Sequence, residues 1–335
     1  MNVNSSETPS RGQSFYYAGL VTVILIWSIT PVINPYIYET ISPTIASFIT
    51  GIVAVLSLLP IAIKNFSHFN MRLIKLAIPT GIINSVASLI QKIGLLYTTP
   101  SRYAFLENIS CVIVPILMFL FVRKKPTVIK IFSSLLCLFG CFLLSGAATG
   151  GGSIGVGEIL CALAGILYGV NIALTATFAS RIYAPLYIFI HMAVHTVTSG
   201  ISAIALNAIT FNGEPISAAY FEWDIGRILL IVGLALLANT VCWIIRTNVM
   251  KHLDATVVAI MMPFSAVITG TLSVIFGMDT LSPSLIFGAI AMLAATILSG
   301  LSDAFENKKF LRDLEDQKKI KEELLGKEKV ADAVM

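Results

Sequence analysis

The stretch Ser88–Asn108, SLIQKIGLLYTTPSRYAFLEN, joins two segments that are each apolar enough to cross a bilayer, yet Lys92 and Glu107 lie inside those segments and Arg102 lies between them. A charge at membrane depth costs roughly 2.5–3.5 kcal/mol on insertion scales, so such residues are kept for pairing or for function. The two segments turn near residues 99–100, and Lys92 and Glu107 are equally far from that point. With a rise of 1.5 Å per residue, an antiparallel pair of helices puts both about 11 Å below the turn. Two readings follow. Lys92 can reach toward the outer interface while Glu107 pairs with it or with Arg102. Alternatively, Glu107 faces a cavity, where it binds a substrate amine or carries a coupling proton.

The composition around this hairpin agrees with a membrane setting. Of 335 residues, 56% are hydrophobic and only 12% charged, with mean hydropathy +0.88; a soluble domain carries about 25% charged residues. Apolar runs long enough for the roughly 20 residues of a bilayer crossing recur along nearly the whole chain. Bounded by charge, Gly and Pro, they predict ten helices near 15–35, 44–63, 74–97, 102–122, 127–147, 156–179, 186–209, 226–250, 255–277 and 284–302. The expected fold is all-α and integral to a membrane. No cleaved leader is expected, because the polar start MNVNSSETPSRGQS runs into a full-length apolar helix without a small-residue cleavage site.

Lys and Arg mark the cytoplasmic side of such a chain. Lys64, Arg72 and Lys75 fall between helices 2 and 3, Arg123, Lys124, Lys125 and Lys130 between helices 4 and 5, Arg181 after helix 6 and Lys251 after helix 8. The other connections carry Glu39, Glu158, Glu214, Glu222, Asp224 and Asp279, with only Arg102 and Arg227 on the basic side. Both termini are therefore expected in the cytoplasm, most simply at the inner cell membrane. The tail, 303–335, mixes both signs with apolar residues at helical spacing, which reads as a solvated, partly helical appendage or a partner or lipid-surface site.

Residues 81–146 align without a gap to 236–301 at an offset of 155. Asn84, Ser88 and Gln91 of helix 3 correspond to Asn239, Trp243 and Arg246 of helix 8, at i, i+4 and i+7. The first helices of the halves agree at an offset of 141, matching Trp27 with Tyr168 and placing Thr30 and Asn34 against Asn171 and Thr175. Five helices per copy is odd, so the second copy enters the membrane from the opposite side, the arrangement underlying alternating access in many secondary transporters. The expected organisation is a segment 1–14, a first repeat 15–147, a Gly-rich linker 148–155, a second repeat 156–302 and the tail. The linker lacks the Lys-Ser/Thr ending of a P-loop, so ATP is not expected to drive the protein directly.

Candidate binding residues are Trp27, Asn84, Ser88, Gln91, Lys92, Glu107, Tyr168, Asn171, Asn239, Trp243 and Arg246. Polar groups on one face of both repeats suit a cavity lining, although interhelical hydrogen bonding at about 0.6 kcal/mol each also accounts for them. Trp27, Tyr168 and Trp243 suit aromatic walls around a cationic amine, or simply interface anchors. His191 and His195, one turn apart in helix 7, read as interhelical hydrogen bonders or a proton relay, since no third metal ligand is near them in the sequence. Pro31 and Pro35 are expected to kink or end helix 1. The five cysteines all lie in apolar spans without a C-x-x-C, so no metal, redox or other cofactor role is expected. No nucleic-acid patch is present, because the basic residues border apolar helices without interleaved aromatics.

At Ile26-Trp27, at YTTPSRYAFLENISCVIVPIL (97–117) and at LDATVVAIMMPFSAVITGTLSVIFGMDTLSPSLIFGAIAMLAATILSG (253–300), the chain resembles the EamA-type permeases of the drug/metabolite transporter superfamily. Pro263, Asp279 and Gly288 occupy the places of that pattern's Pro, acidic residue and Gly, while Lys124-Lys125 stands where an acidic residue is usual after helix 4. The resemblance implies ten helices around a cavity lined by helices 1, 3, 4, 6, 8 and 9. It also implies transport of a small organic solute: an amino acid or amine, a nucleotide sugar or other phosphorylated metabolite, or a drug. Expected partners are that solute, the lipid bilayer and a coupling proton or counter-substrate. The residues leave the oligomeric state open. A membrane enzyme is not expected, since H-x-x-x-D and H-E-x-x-H are both absent.

Overall fold

The computed structural model describes residues 9–123, 126–144, 155–178, 182–208, 210–211, 214–215, 219–302 and 305. The helices are α1 Pro9–Tyr38, α2 Pro43–Lys64, α3 Met71–Leu95, α4 Pro100–Val122, α5 Val128–Leu144, α6 Val156–Phe178, α7 Ala184–Ala208, α8 Ile225–Val249, α9 Ala255–Ile275 and α10 Pro283–Ser302. Among the described residues, nine are long and apolar enough to cross a membrane, and α5 is a shorter apolar helix. Most of the Gly-rich linker and nearly all of the charged tail lie outside the described residues, as do positions 1–8 of the expected amino-terminal segment.

Local chemistry starts these helices where the composition changes. Asn70 Oδ1 accepts from Leu73 N at 2.8 Å, Asp224 Oδ1 from Arg227 N at 3.1 Å and Asp254 Oδ1 from Thr256 N at 2.8 Å, capping α3, α8 and α9. Ser42 and Thr99 cap α2 and α4, each followed by a proline at the first helical position. Gly277, with φ +69°, follows the end of α9, in a left-handed conformation that costs glycine little.

Packing obeys an exchange of each helix with the one five places on. α3 lies against α6 and α7 as α8 lies against α1 and α2, and α4 meets α6 as α9 meets α1. α2 crosses α7 and α4 crosses α9. α5 meets α10 where a Cβ on Gly140 would stand 2.9 Å from the Gly288 carbonyl. These are the contacts of two five-helix repeats related by inversion, and they make the fold all-helical, as the sequence predicts. The face with the start of α1 and the end of α10 is called the terminal face below, and the other the distal face.

Three features were not foreseen. α1 continues past Pro31 and Pro35 to Tyr38 rather than ending near 35. The carbonyls that lose helical donors to these prolines are those of Trp27 and Pro31, and both residues line the central cavity rather than lipid. α4 breaks into Pro100–Glu107 and Ser110–Val122, and α9 into Ala255–Met261 and Phe264–Ile275. Asn108 and Pro263, one in each break, are related by the repeat offset of 155. Pro263 has no N–H for the helix ladder, while the Asn108 amide donates to the Ala104 carbonyl. Finally, α8 contains a π-helical segment, Ala235–Val241.

Candidate functional site

The breaks, the α1 prolines and the π segment surround one cavity of about 160 Å³ at the centre of the bundle. A water needs only about 10–15 Å³ of such space, so the cavity has room for several waters or a small solute. Ten of the eleven candidate residues line it: Trp27, Asn84, Ser88, Gln91, Lys92, Glu107, Tyr168, Asn239, Trp243 and Arg246. Asn171 does not. It is buried, and its amide donates to the Thr80 carbonyl at 2.9 Å, so it ties α6 to α3.

Glu107 ends the first piece of α4 and accepts a hydrogen bond at 2.6 Å from Gln91 Nε2, whose Oε1 accepts from the Tyr168 hydroxyl at 2.7 Å. α6 reaches this close because it offers glycine there: a Cβ on Gly165 would stand 2.6 Å from the Glu107 carbonyl oxygen, and one on Gly169 2.9 Å from Ile113. Among the described residues Glu107 forms no ion pair with Lys92 or Arg102, and Lys92 finds another partner. Its ammonium donates to Ser47 Oγ on α2 at 2.7 Å, while Arg102 pairs with Glu158 at 3.3 Å. The neighbouring positions 91 and 92 point to different partners, as adjacent residues on a helix do.

Opposite Glu107 stands Arg246, whose guanidinium lies 4.7 Å from the Trp243 ring centroid and 5.7 Å from that of Trp27. Trp27 is held by its indole N–H, which donates to the Ala238 carbonyl in the π segment at 2.8 Å. The π segment inserts an extra residue per turn, and its cost is characteristically accepted at functional sites. Glu107 and Arg246 lie within electrostatic reach of each other but form no ion pair among the described residues.

Several cavity-lining groups have buried polar atoms without a hydrogen-bond partner among the described residues: Thr30 Oγ1, Asn34 Nδ2, Asn84 Oδ1, His195 Nδ1 and Arg246 Nε. Leaving such an atom unpaired costs about 1–3 kcal/mol, more for a charged group. A polar solute or water in the cavity relieves that cost. Thr50 of α2, and Met192 and His195 of α7, also line the cavity, which adds two helices to those implied by the family resemblance. Thr30 and Asn34 were legible as the polar face continuing from Trp27; Thr50 is one of several hydroxyls scattered along α2, with Thr44, Ser47 and Ser57, and gave no distinct signal. Among the described residues, no group of three or more His, Cys, Asp or Glu could hold a metal ion.

Membrane-length helices around a central polar cavity define the architecture of a multi-pass membrane carrier. Residues 14–146, the first five helices, match the EamA-like transporter family. An uncharacterized transporter of Archaeoglobus fulgidus is 23% identical over 283 residues, covering 84% of this chain and 85% of that one. A solved protein crystal structure with 15% identity superposes with TM-score 0.67 over 87% of this chain and 98% of its own, a likeness of fold. These matches support a membrane transporter of the drug/metabolite type, whose first five helices are similar to the EamA-like transporter family.

Proposed function

We propose that the protein moves a small polar metabolite bearing an amine and a carboxylate, most simply an amino acid, outward by alternating access. The observation that carries this is the separation of Glu107 from Arg246: both line one cavity, each is held by neutral neighbours, and neither neutralises the other. An ammonium group suits Glu107, and a carboxylate suits the guanidinium, whose Nε has no partner. Lys92 adds a second cation, which favours a phosphorylated metabolite as the alternative solute. The basic connections favour a cytoplasmic terminal face. No cofactor enters this reading.

The test uses purified protein in liposomes loaded with a mixed pool of amino acids and amines, with efflux followed by mass spectrometry. Selective loss of α-amino acids over amines without a carboxylate supports the reading. Selective loss of phosphorylated solutes from a second loaded pool selects the alternative. Folded protein that releases nothing from either pool removes both.

A further inference from the structure

α7 carries a buried polar stripe that meets the binding cavity only at His195. Tyr187, His191, His195 and Ser199 recur every fourth residue and are all buried, so they share one face. From His195 to Tyr187 the stripe covers about 12 Å of helix axis. His195 is at the cavity wall. His191 lies against the Trp243 ring, 4.8 Å away, and the Tyr187 ring, 5.6 Å away. The Tyr187 hydroxyl donates to Thr80 Oγ1 at 2.8 Å and lies 3.0 Å from Thr175 Oγ1. Tyr187 is one turn from the start of α7, at the terminal face.

Packing does not demand this polarity. α2 is the counterpart of α7 in the first repeat, and the two helices begin 141 residues apart, the offset that also relates α1 to α6. At that offset Tyr187, His191, His195 and Ser199 correspond to Ala46, Thr50, Ala54 and Leu58, which are buried as well. The same face in α2 is therefore nearly apolar. In α7, by contrast, Nδ1 of His195 is buried without a hydrogen-bond partner among the described residues, and the buried His191 ring has at most the Thr80 backbone beside it. A native protein rarely keeps such groups without a use.

We propose that Tyr187, His191 and His195 form a proton path between the cavity and the terminal face, and that an inward-moving proton drives the solute outward. This rests on the transport reading above. Glu107, with an ammonium bound, exchanges it for a proton arriving from the distal side. The proton then leaves through His195 and His191. Each imidazole accepts a proton on one nitrogen and releases one from the other, with waters joining the nitrogens that lack protein partners. The hydroxyls of Tyr187, Thr80 and Thr175 complete the path. One proton enters and one leaves, and only N–H and O–H bonds change. The charged and titratable groups facing the stripe are Lys92 from α3 and Arg246 from α8, with Glu107 of α4 and Tyr168 of α6 across the cavity. α2 brings the uncharged Thr50.

The experiment loads liposomes containing the full chain with the amino-acid and amine pool and a pH-reporting dye, and follows solute and internal pH together. The expected result is internal acidification that accompanies solute exit in the unmodified protein. In His191→Gln the acidification falls at least tenfold while downhill exit continues. His195→Gln also loses acidification. His191→Thr, which takes the residue that α2 carries at the equivalent place, guards against a folding defect specific to glutamine. Solute exit without acidification in the unmodified protein overturns the proton path and leaves the transporter intact. So does full acidification in both histidine variants. Absence of any solute exit overturns the transport reading, and the coupling falls with it.

Discussion

Glu107→Gln is the sharpest test of the site, because the geometry isolates charge from shape. Glu107 Oε2 accepts from Gln91 Nε2, and the amide oxygen of a glutamine accepts the same bond. The Gln91–Tyr168 link therefore survives, and what is lost is the negative charge facing the cavity. A Coulomb contact at about 4 Å with an effective dielectric of about 20 is worth at most roughly 4 kcal/mol. A hydrogen bond to a charged group contributes a net of about 1.5–3 kcal/mol. The smaller range is the appropriate one, since the ammonium gives up its hydration to enter. At about 1.4 kcal/mol per decade, KM for an amine-bearing solute should rise roughly ten- to a hundredfold. Counterflow of labelled amino acids in liposomes measures it, with N-acetylated analogues as a control whose KM the variant leaves unchanged. A folded variant with an unaltered KM for free amines would refute the role of Glu107 and return it to a purely structural hydrogen-bond acceptor.

Two further outcomes follow from single positions. Gly165→Ala places a Cβ 2.6 Å from the Glu107 carbonyl oxygen, whereas Gly233→Ala meets nothing within 4 Å; overpacking costs about 1–3 kcal/mol, so thermal unfolding in detergent should drop by several degrees for the first and hold for the second. His252 stacks on Tyr16 with centroids 3.9 Å apart, and burial, then the neighbouring Lys251, holds its pKa below 6.5. The unfolded chain thus binds the proton more readily, so this contribution is complete above about pH 6.5 and is lost as pH falls through and below that value; a pH series of unfolding temperatures should show it, and His252→Gln should flatten it.

Helix number, order and approximate ends were legible because a bilayer crossing leaves a coarse signal of some twenty apolar residues. The repeat was legible because polar residues interrupting apolar helices are few, so Asn84, Ser88 and Gln91 against Asn239, Trp243 and Arg246 stand out. What escaped was finer than a helix. The break at Asn108 depends on a side-chain amide that competes with the backbone, and the π segment depends on one added residue in a turn; neither has a compositional signature. The partners of Lys92 and Glu107 escaped for a related reason. Depth follows from counting residues, but the direction of a side chain depends on which neighbour stands there, and Ser47 is distant in sequence. Asn171 was grouped with cavity residues by its place in the repeat, yet one more turn of α6 puts it against Thr80.

The closures at the two faces carry the inversion to its consequence. On the distal face, the end of α1 and the α1–α2 turn are pinned to the first turn of α8 and the segment before it: Arg227 bonds Glu39 and stacks over Tyr36 at 4.3 Å, and Glu222 N donates to the Thr40 carbonyl at 2.8 Å. Glu158 of α6 accepts from Thr98 at 2.8 Å, and Asp279 accepts from Thr99 at 3.2 Å. Exchanging each helix for its partner five places on maps these three contacts onto the terminal face. There they are the Tyr183–His68 stack, the Tyr16–His252 stack and the Lys130–Asp254 ion pair. The positions correspond, but the chemistry differs: carboxylates dominate the distal closure, and aromatic stacks supply two of the three terminal contacts. Screening by salt weakens exposed ion pairs and leaves stacked rings largely unaffected. Glu39 is 64% exposed, so its pair with Arg227 contributes only about 0–1 kcal/mol to stability. Glu39→Gln should therefore leave the unfolding temperature nearly unchanged while speeding, severalfold, thiol labelling of an Asn34→Cys reporter from the distal side. High salt should reproduce that gain in the parent reporter and add little to the Glu39 variant. Labelling that ignores both salt and Glu39 would mean that the backbone pairing between residues 40–42 and 220–222, rather than the charges, holds the distal face shut.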